Sequence, residues 1–133
     1  MHQYKLRVRL SETDFLKIVY YANYFVYFDV ARIELLREAG INQKEMEEKG
    51  LVFLCAEASC KYILPLEFDE EITIKTWIER IGKTSITYRH LILNEQGKEA
   101  AEGYVRDVLA NKERKPLEIP EEWRNALSKY IKG

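Results

Sequence analysis

The sequence predicts an α+β domain in which one antiparallel sheet curls around a single apolar helix. Three observations carry this expectation. A helical pattern running from residue 20 or 23 to residue 39 is apolar nearly all round in its first half, so other elements must wrap it. Five further segments show the period of two that marks strands. No strand–helix–strand alternation recurs, which argues against a doubly wound parallel sheet.

Each element follows from its own pattern. Tyr4, Leu6, Val8 and Leu10 alternate with Lys5, Arg7 and Arg9, as in a half-buried strand. Residues 11–17 are polar enough to form the loop after it. In the helix, Tyr24, Phe28, Ala31, Leu35 and Ala39 recur at spacings of four and three; Phe25, Val30 and Leu36 widen the stripe, and Gly40 ends it. Asn42 caps a short second helix closed by Gly50. Residues 51–64 read as a long strand with Val52, Leu54, Ala56, Ala58 and Cys60 on one face, stopped by Pro65. Residues 71–80, 85–93 and 98–110 complete a four-strand meander, with turns at Gly82-Lys83 and at 94–97. Pro120 opens a last helix at its first turn, where Glu121 and Glu122 suit the positive end of the dipole, and Trp123, Leu127 and Ile131 dock it.

Composition narrows the class of function. A chain of 133 residues suits one domain, 1–133, and its apolar content of 47% is that of a folded protein. A formal net charge of -1 gives no basis for general nucleic-acid binding. No apolar run reaches the length of a membrane span, and residues 1–10 lack the apolar core of a signal peptide, so a cytoplasmic location is expected. Cys55 and Cys60, five apart on one strand, point to opposite faces and stay unbridged, as reduced thiols do in that compartment.

Most catalytic signatures are absent. The chain has no GxSxG elbow, no GxxxxGK[ST] loop and no GxGxxG fingerprint. His2 and His90 lack metal-ligand spacing, so no metal is expected; His90, mid-strand, reads as a hydrogen-bonded structural histidine. Asp14 stands out because it precedes the central helix. On local sequence alone it is a turn or cap aspartate accepting backbone N–H bonds.

A longer match changes that balance. Arg9, Glu12-Thr13-Asp14, residues 18–24 (IVYYANY), Phe28, Ala31-Arg32, residues 81–85 (IGKTS) and residues 115–120 (KPLEIP) resemble the hotdog-fold acyl-CoA thioesterases of the 4-hydroxybenzoyl-CoA thioesterase family, in particular its tol-pal-associated branch. The resemblance implies a five-stranded hotdog sheet around the helix, with a C-terminal helix added. It implies acyl-CoA hydrolysis with no cofactor beyond the coenzyme A of the substrate, and assembly as a homodimer or homotetramer. It puts the catalytic carboxylate at Asp14 as base or nucleophile. Backbone N–H groups among Val19, Tyr20, Tyr21 and Ala22 form the oxyanion hole, and the Tyr21 phenol stands where some relatives carry histidine. Tyr24, Arg80, Lys83, Thr84, Ser85, Lys112, Arg114 and Lys115 are the substrate-binding set. One departure accompanies the match: Lys17 stands where the family usually has glycine. Lysine is strained if that turn needs positive φ. A binding module for acyl-CoA or acyl carrier protein that lost turnover is the alternative reading.

Overall fold

Residues 1–132 are described by the computed structural model. Five strands, β1 (His2–Arg7), β2 (Val52–Tyr62), β3 (Glu71–Ile81), β4 (Ser85–Leu93) and β5 (Glu99–Ala110), form one antiparallel sheet in the order β1-β3-β4-β5-β2. The sheet curls around α1 (Asn23–Glu38); α2 (Gln43–Glu48) follows it, and α3 (Glu121–Leu127) closes one end.

The strand order corrects the expected meander, which spans only β3, β4 and β5. β1 and β4 already occupy both sides of β3, so the long β2 must add at the far edge, against β5. β2 also departs from strict alternation. A bulge at Ala56 leaves that residue unpaired, so Val52 and Leu54 lie on the outer face while Ala58 and Cys60 face inward. The bulge likewise puts Cys55 and Cys60 on the same face, correcting their expected opposition. They oppose Asp107 and Gly103, four residues apart on β5, about 13 Å along the strand. Both thiols are free at that separation.

Burial of α1 follows its sequence stripe and extends it. Tyr24, Phe28, Ala31, Leu35 and Leu36 are buried as expected, and Tyr27 joins them. Phe28 and Leu35, withdrawn completely from water, each contribute about 1.5–3 kcal/mol. Phe28 stacks on the His90 ring with centroids 4.6 Å apart. Its close approach demands glycine at position 103, where a Cβ would meet the Phe28 ring at 2.7 Å and collide with the Ser59 carbonyl.

The termini differ locally from the expected pattern. Leu10 leaves the strand face and enters a 3₁₀ turn (Leu10–Glu12), where it is exposed. Pro120 is the cap of α3 rather than its first residue. The last turn tightens to a 3₁₀ helix (Ser128–Tyr130), so the spacing from Leu127 becomes three and Tyr130, not Ile131, is buried.

Candidate active site

Asp14 heads a tight hairpin. Thr13 and Val19 form an isolated antiparallel bridge, the Asp14 N–H donates to Ile18 O at 2.9 Å, and the Lys17 N–H donates to Asp14 O at 3.0 Å. The chain turns through Phe15 and Leu16 and then places Lys17 at φ 65°. A three-residue loop of this type ends in a left-handed residue, which explains a glycine preference at that position. Lysine there costs about 1 kcal/mol. The hairpin is pinned to the 65–70 loop by Val19 N–H to Leu66 O and by Phe68 N–H to Lys17 O. Asp14 is half-buried; its Oδ1 accepts the Leu16 N–H at 2.8 Å, and its second oxygen carries no hydrogen bond.

The amino end of α1 is built beside this hairpin. Of the four amides expected to hold an oxyanion, the Val19 N–H goes to Leu66 O and the Tyr20 N–H to Glu12 O, so neither is free to meet a substrate. The N–H groups of Tyr21 and Ala22 have no partner, and no side chain caps the helix at Ala22. The Tyr62 hydroxyl donates to Tyr21 O at 2.9 Å and ties this corner to the end of β2. The Tyr21 ring is exposed against Tyr20. Tyr24 is buried, its phenol pushed up to about 12 by that burial, and it stands edge-on to Tyr62 at 4.8 Å. Val19, Tyr21, Tyr24, Tyr62 and Leu64 line an open hollow of about 290 Å³ here.

The remaining binding candidates lie elsewhere. Arg80, Lys83, Thr84 and Ser85 occupy the β3–β4 turn, where Lys83 O accepts the Ile119 N–H and Thr84 O accepts the Leu109 N–H. Lys112, Arg114 and Lys115 are exposed in the adjoining loop after β5. Asp14 sits at the other end of the sheet, where β3 begins: Val8 N–H, close before it in the chain, bonds to Glu70 O. The eleven residues of β3 separate the two groups by roughly 30 Å. One chain therefore does not bring the cationic set to Asp14.

Residues 8–127 match the family model described as the thioesterase-like superfamily. This chain belongs to that superfamily. Among its relatives, the Bacillus subtilis (strain 168) protein YneP is 31% identical over 132 residues, 96% of each chain. The acyl-CoA thioester hydrolase YbgC of Escherichia coli O157:H7 is 26% identical over 96 residues, 72% of each chain. Among solved structures, a gentisyl-coenzyme A thioesterase aligns with a TM-score of 0.88 at 32% identity, covering 92% of this chain and 99% of that one. The DHNA-CoA thioesterase of Staphylococcus aureus aligns at 0.90 with 26% identity, covering 96% and 88%.

Within this thioesterase-like chain, a second polar cluster lies under α1: Arg32 and His90, both singled out in the sequence, meet Asp107 and Thr76, which were not. Arg32 Nε approaches Asp107 Oδ2 at 3.3 Å, both side chains nearly buried. Burial pushes the Asp107 carboxyl up, against the opposing pull of Arg32. Burial and the Arg32 charge lower His90 to about 3, so it is neutral across the physiological range, its Nδ1 sharing a hydrogen bond of 2.9 Å with Thr76 Oγ1. No group of three His, Cys, Asp or Glu side chains among the described residues is placed to hold a metal ion. Sequence reading matched Glu12 within the motif before Asp14 without giving it a role, and passed over Tyr27. The i, i+3 spacing of Arg9 and Glu12 was the available signal.

Proposed function

We propose that the protein hydrolyses an acyl-CoA thioester to the free acid and coenzyme A. Asp14 serves as general base on water or as nucleophile, and the Tyr21 and Ala22 amides receive the oxyanion. The observation that carries this reading is a half-buried carboxylate with one open oxygen beside the approach to α1, where the Tyr21 and Ala22 N–H groups just ahead of the helix are unpaired. In the base route, Asp14 takes a proton from water as its oxygen adds to the thioester carbon. The tetrahedral oxyanion is held by the unpaired amides, and the C–S bond breaks to release the thiolate. In the nucleophilic route the same carbonyl first forms a mixed anhydride with Asp14, which water then opens. The thiolate leaves readily, so no strong general acid is needed. The Tyr21 phenol supplies an added donor, and the hollow at Tyr24 and Tyr62 receives the acyl group.

The working unit in this reading is a homodimer, or a homotetramer made from it. β2 is an open edge of eleven residues with few charges, whereas the other edge, β1, is short and basic. Antiparallel pairing of β2 with β2 of a second copy reverses its ends. The turn bearing Arg80, Lys83, Thr84 and Ser85, with Lys112, Arg114 and Lys115, is then carried toward the first copy's Asp14, where these groups meet the pantetheine and phosphates of coenzyme A. Trp77, Leu91 and Tyr104 on the outer sheet face offer a surface for pairing dimers. Two unpaired thiols accord with a reducing cytoplasmic setting, and no helix among the described residues is long and apolar enough to cross a membrane.

A second reading rests on the bond from the Leu16 N–H to Asp14 Oδ1, the ordinary work of a turn aspartate. On it, the chain binds acyl-CoA or an acylated carrier protein without turnover. Thiol release from a panel of acyl-CoAs, measured on the wild type and on Asp14→Asn, separates the two. Asparagine keeps the Oδ1 acceptor and removes the charge. Loss of nearly all turnover in the folded variant supports the hydrolase with Asp14 as its catalytic carboxylate; equal release by both proteins defeats the catalytic reading of Asp14, and binding with no release in either protein supports the binding module.

A further inference from the structure

Glu12 is the most heavily bonded side chain in the molecule's catalytic corner, and it touches none of the proposed reacting atoms. Its carboxylate is nearly buried. Oε1 accepts the Arg9 N–H at 2.8 Å and the Tyr27 hydroxyl at 2.9 Å, while Oε2 accepts Arg9 Nε at 2.9 Å and Nη2 at 2.6 Å. Its backbone carbonyl accepts the Tyr20 N–H at 3.0 Å and Asn23 Nδ2 at 2.8 Å. One residue thus joins the end of β1, the root of the Asp14 hairpin, the approach to α1 and the buried first turns of that helix.

The arrangement is costly unless it is used. A carboxylate out of water needs every acceptor site filled, and here the donors come from two separate elements. Burial opposes the charge, but the bonds from Arg9 and Tyr27 outweigh it and hold the carboxyl below its ordinary range. Arg9 is itself largely exposed, so the pair is not a simple buried ion pair. The fixed component is Tyr27, locked in the core on α1. A bond from Tyr27 to Glu12, and from Glu12 O to Tyr20 and Asn23, sets the hairpin relative to the helix start from two directions.

We infer that Glu12 is a positioning residue for the thioesterase reaction: it holds Asp14 in register with the unpaired amides of Tyr21 and Ala22. The inference rests on the proposed roles of Asp14 and those amides. Displacement of the hairpin by a fraction of an ångström separates base from oxyanion hole, which lowers the chemical step and leaves coenzyme A binding at the far cations unaffected.

The test is steady-state thiol release by Glu12→Gln, Tyr27→Phe and Asp14→Asn, each compared with wild type at a temperature where circular dichroism shows it folded. Positioning predicts that Glu12→Gln lowers kcat 10- to 100-fold with KM within about threefold, and that Tyr27→Phe lowers kcat several-fold in the same manner. Tyr27→Phe removes one donor while keeping the ring, so it decides the matter if Glu12→Gln does not fold. Unchanged kcat in the folded variants, with only a lower Tm, overturns the inference and leaves Glu12 a purely structural residue. A rise in KM at constant kcat overturns it as well. Full activity in Asp14→Asn instead defeats the catalytic reading of Asp14, whatever the Glu12 variants do.

Discussion

The Tyr62 hydroxyl donates to the carbonyl oxygen of Tyr21 at 2.9 Å and so fastens the last residue of β2 to the segment that opens α1. Edge strand and helix start therefore move together. Anything that settles β2, a second copy included, also settles the amides next to the hairpin.

Tyr62→Phe removes this bond and keeps the edge-on contact with Tyr24. The expected cost in stability is about 1 kcal/mol, read as a lower urea midpoint at unchanged slope. Turnover falls several-fold, because the Tyr21 peptide loses its anchor.

Lys17→Gly relieves the left-handed residue at the end of the Asp14 hairpin. Stability rises by about 0.5–1 kcal/mol, since the strain removed exceeds the added freedom of the unfolded chain. Lys17→Ala gains nothing, because alanine meets the same Cβ conflict. Paired urea titrations of the three proteins check the order.

Stability falls on acidification through His90. Its folded pKa of about 3 lies below the ordinary imidazole value of about 6.5, because burial and the Arg32 charge disfavour the cation, so the unfolded chain binds the proton first. The contribution is complete above about pH 6.5 and is lost as pH drops from there toward 3, at up to about 1.4 kcal/mol per unit. Burial of His2 acts in the same direction, outweighing its attraction to Glu38 and Glu34. The loss between pH 7.5 and 5 is of order 2 kcal/mol for His90. Comparison with His90→Gln isolates it: the variant is weaker at neutral pH but has a flatter profile.

Ala58→Pro tests the β2 edge. The Ile63 N–H bonds to Ala100 O, so odd-numbered residues of this part of β2 turn their N–H toward β5, and Ala58, opposite Val105, turns its N–H toward the open edge. Proline there spares the bonds to β5 and removes a donor from the edge. Sedimentation is expected to show the wild type as a dimer or larger and the variant shifted toward monomer, with thiol release falling in parallel.

Much of the fold was legible because local chemistry decides it. The boundaries of β4 at Ser85 and Leu93, the Asn42 cap accepting from Lys44 and Glu45, and the glycine after α1 at φ 87° each follow from residue types within the segment itself, the last because glycine has no Cβ to oppose a positive φ. The left-handed turn at Lys17 was likewise foreseeable, since the glycine of the resembled family marks the conformation the turn needs. Asp14 was found through that resemblance; its local pattern alone describes a turn.

The spacing of apolar residues and the motif before the helix are enough to set the class: an α+β chain of five strands around one apolar helix, with a thioesterase-like motif before that helix. The remaining features depend on pairing between distant segments. The far-edge position of β2 follows from which sides of β3 were already taken, and the Ala56 bulge reverses the inward face of β2 midway. Occupation of the Val19 and Tyr20 amides depends on Leu66 and Glu12, and the bond from Tyr27 to Glu12 spans fifteen positions. Periodicity reports which face of a segment is apolar; it carries no information about which hydrogen-bond partner a distant segment brings.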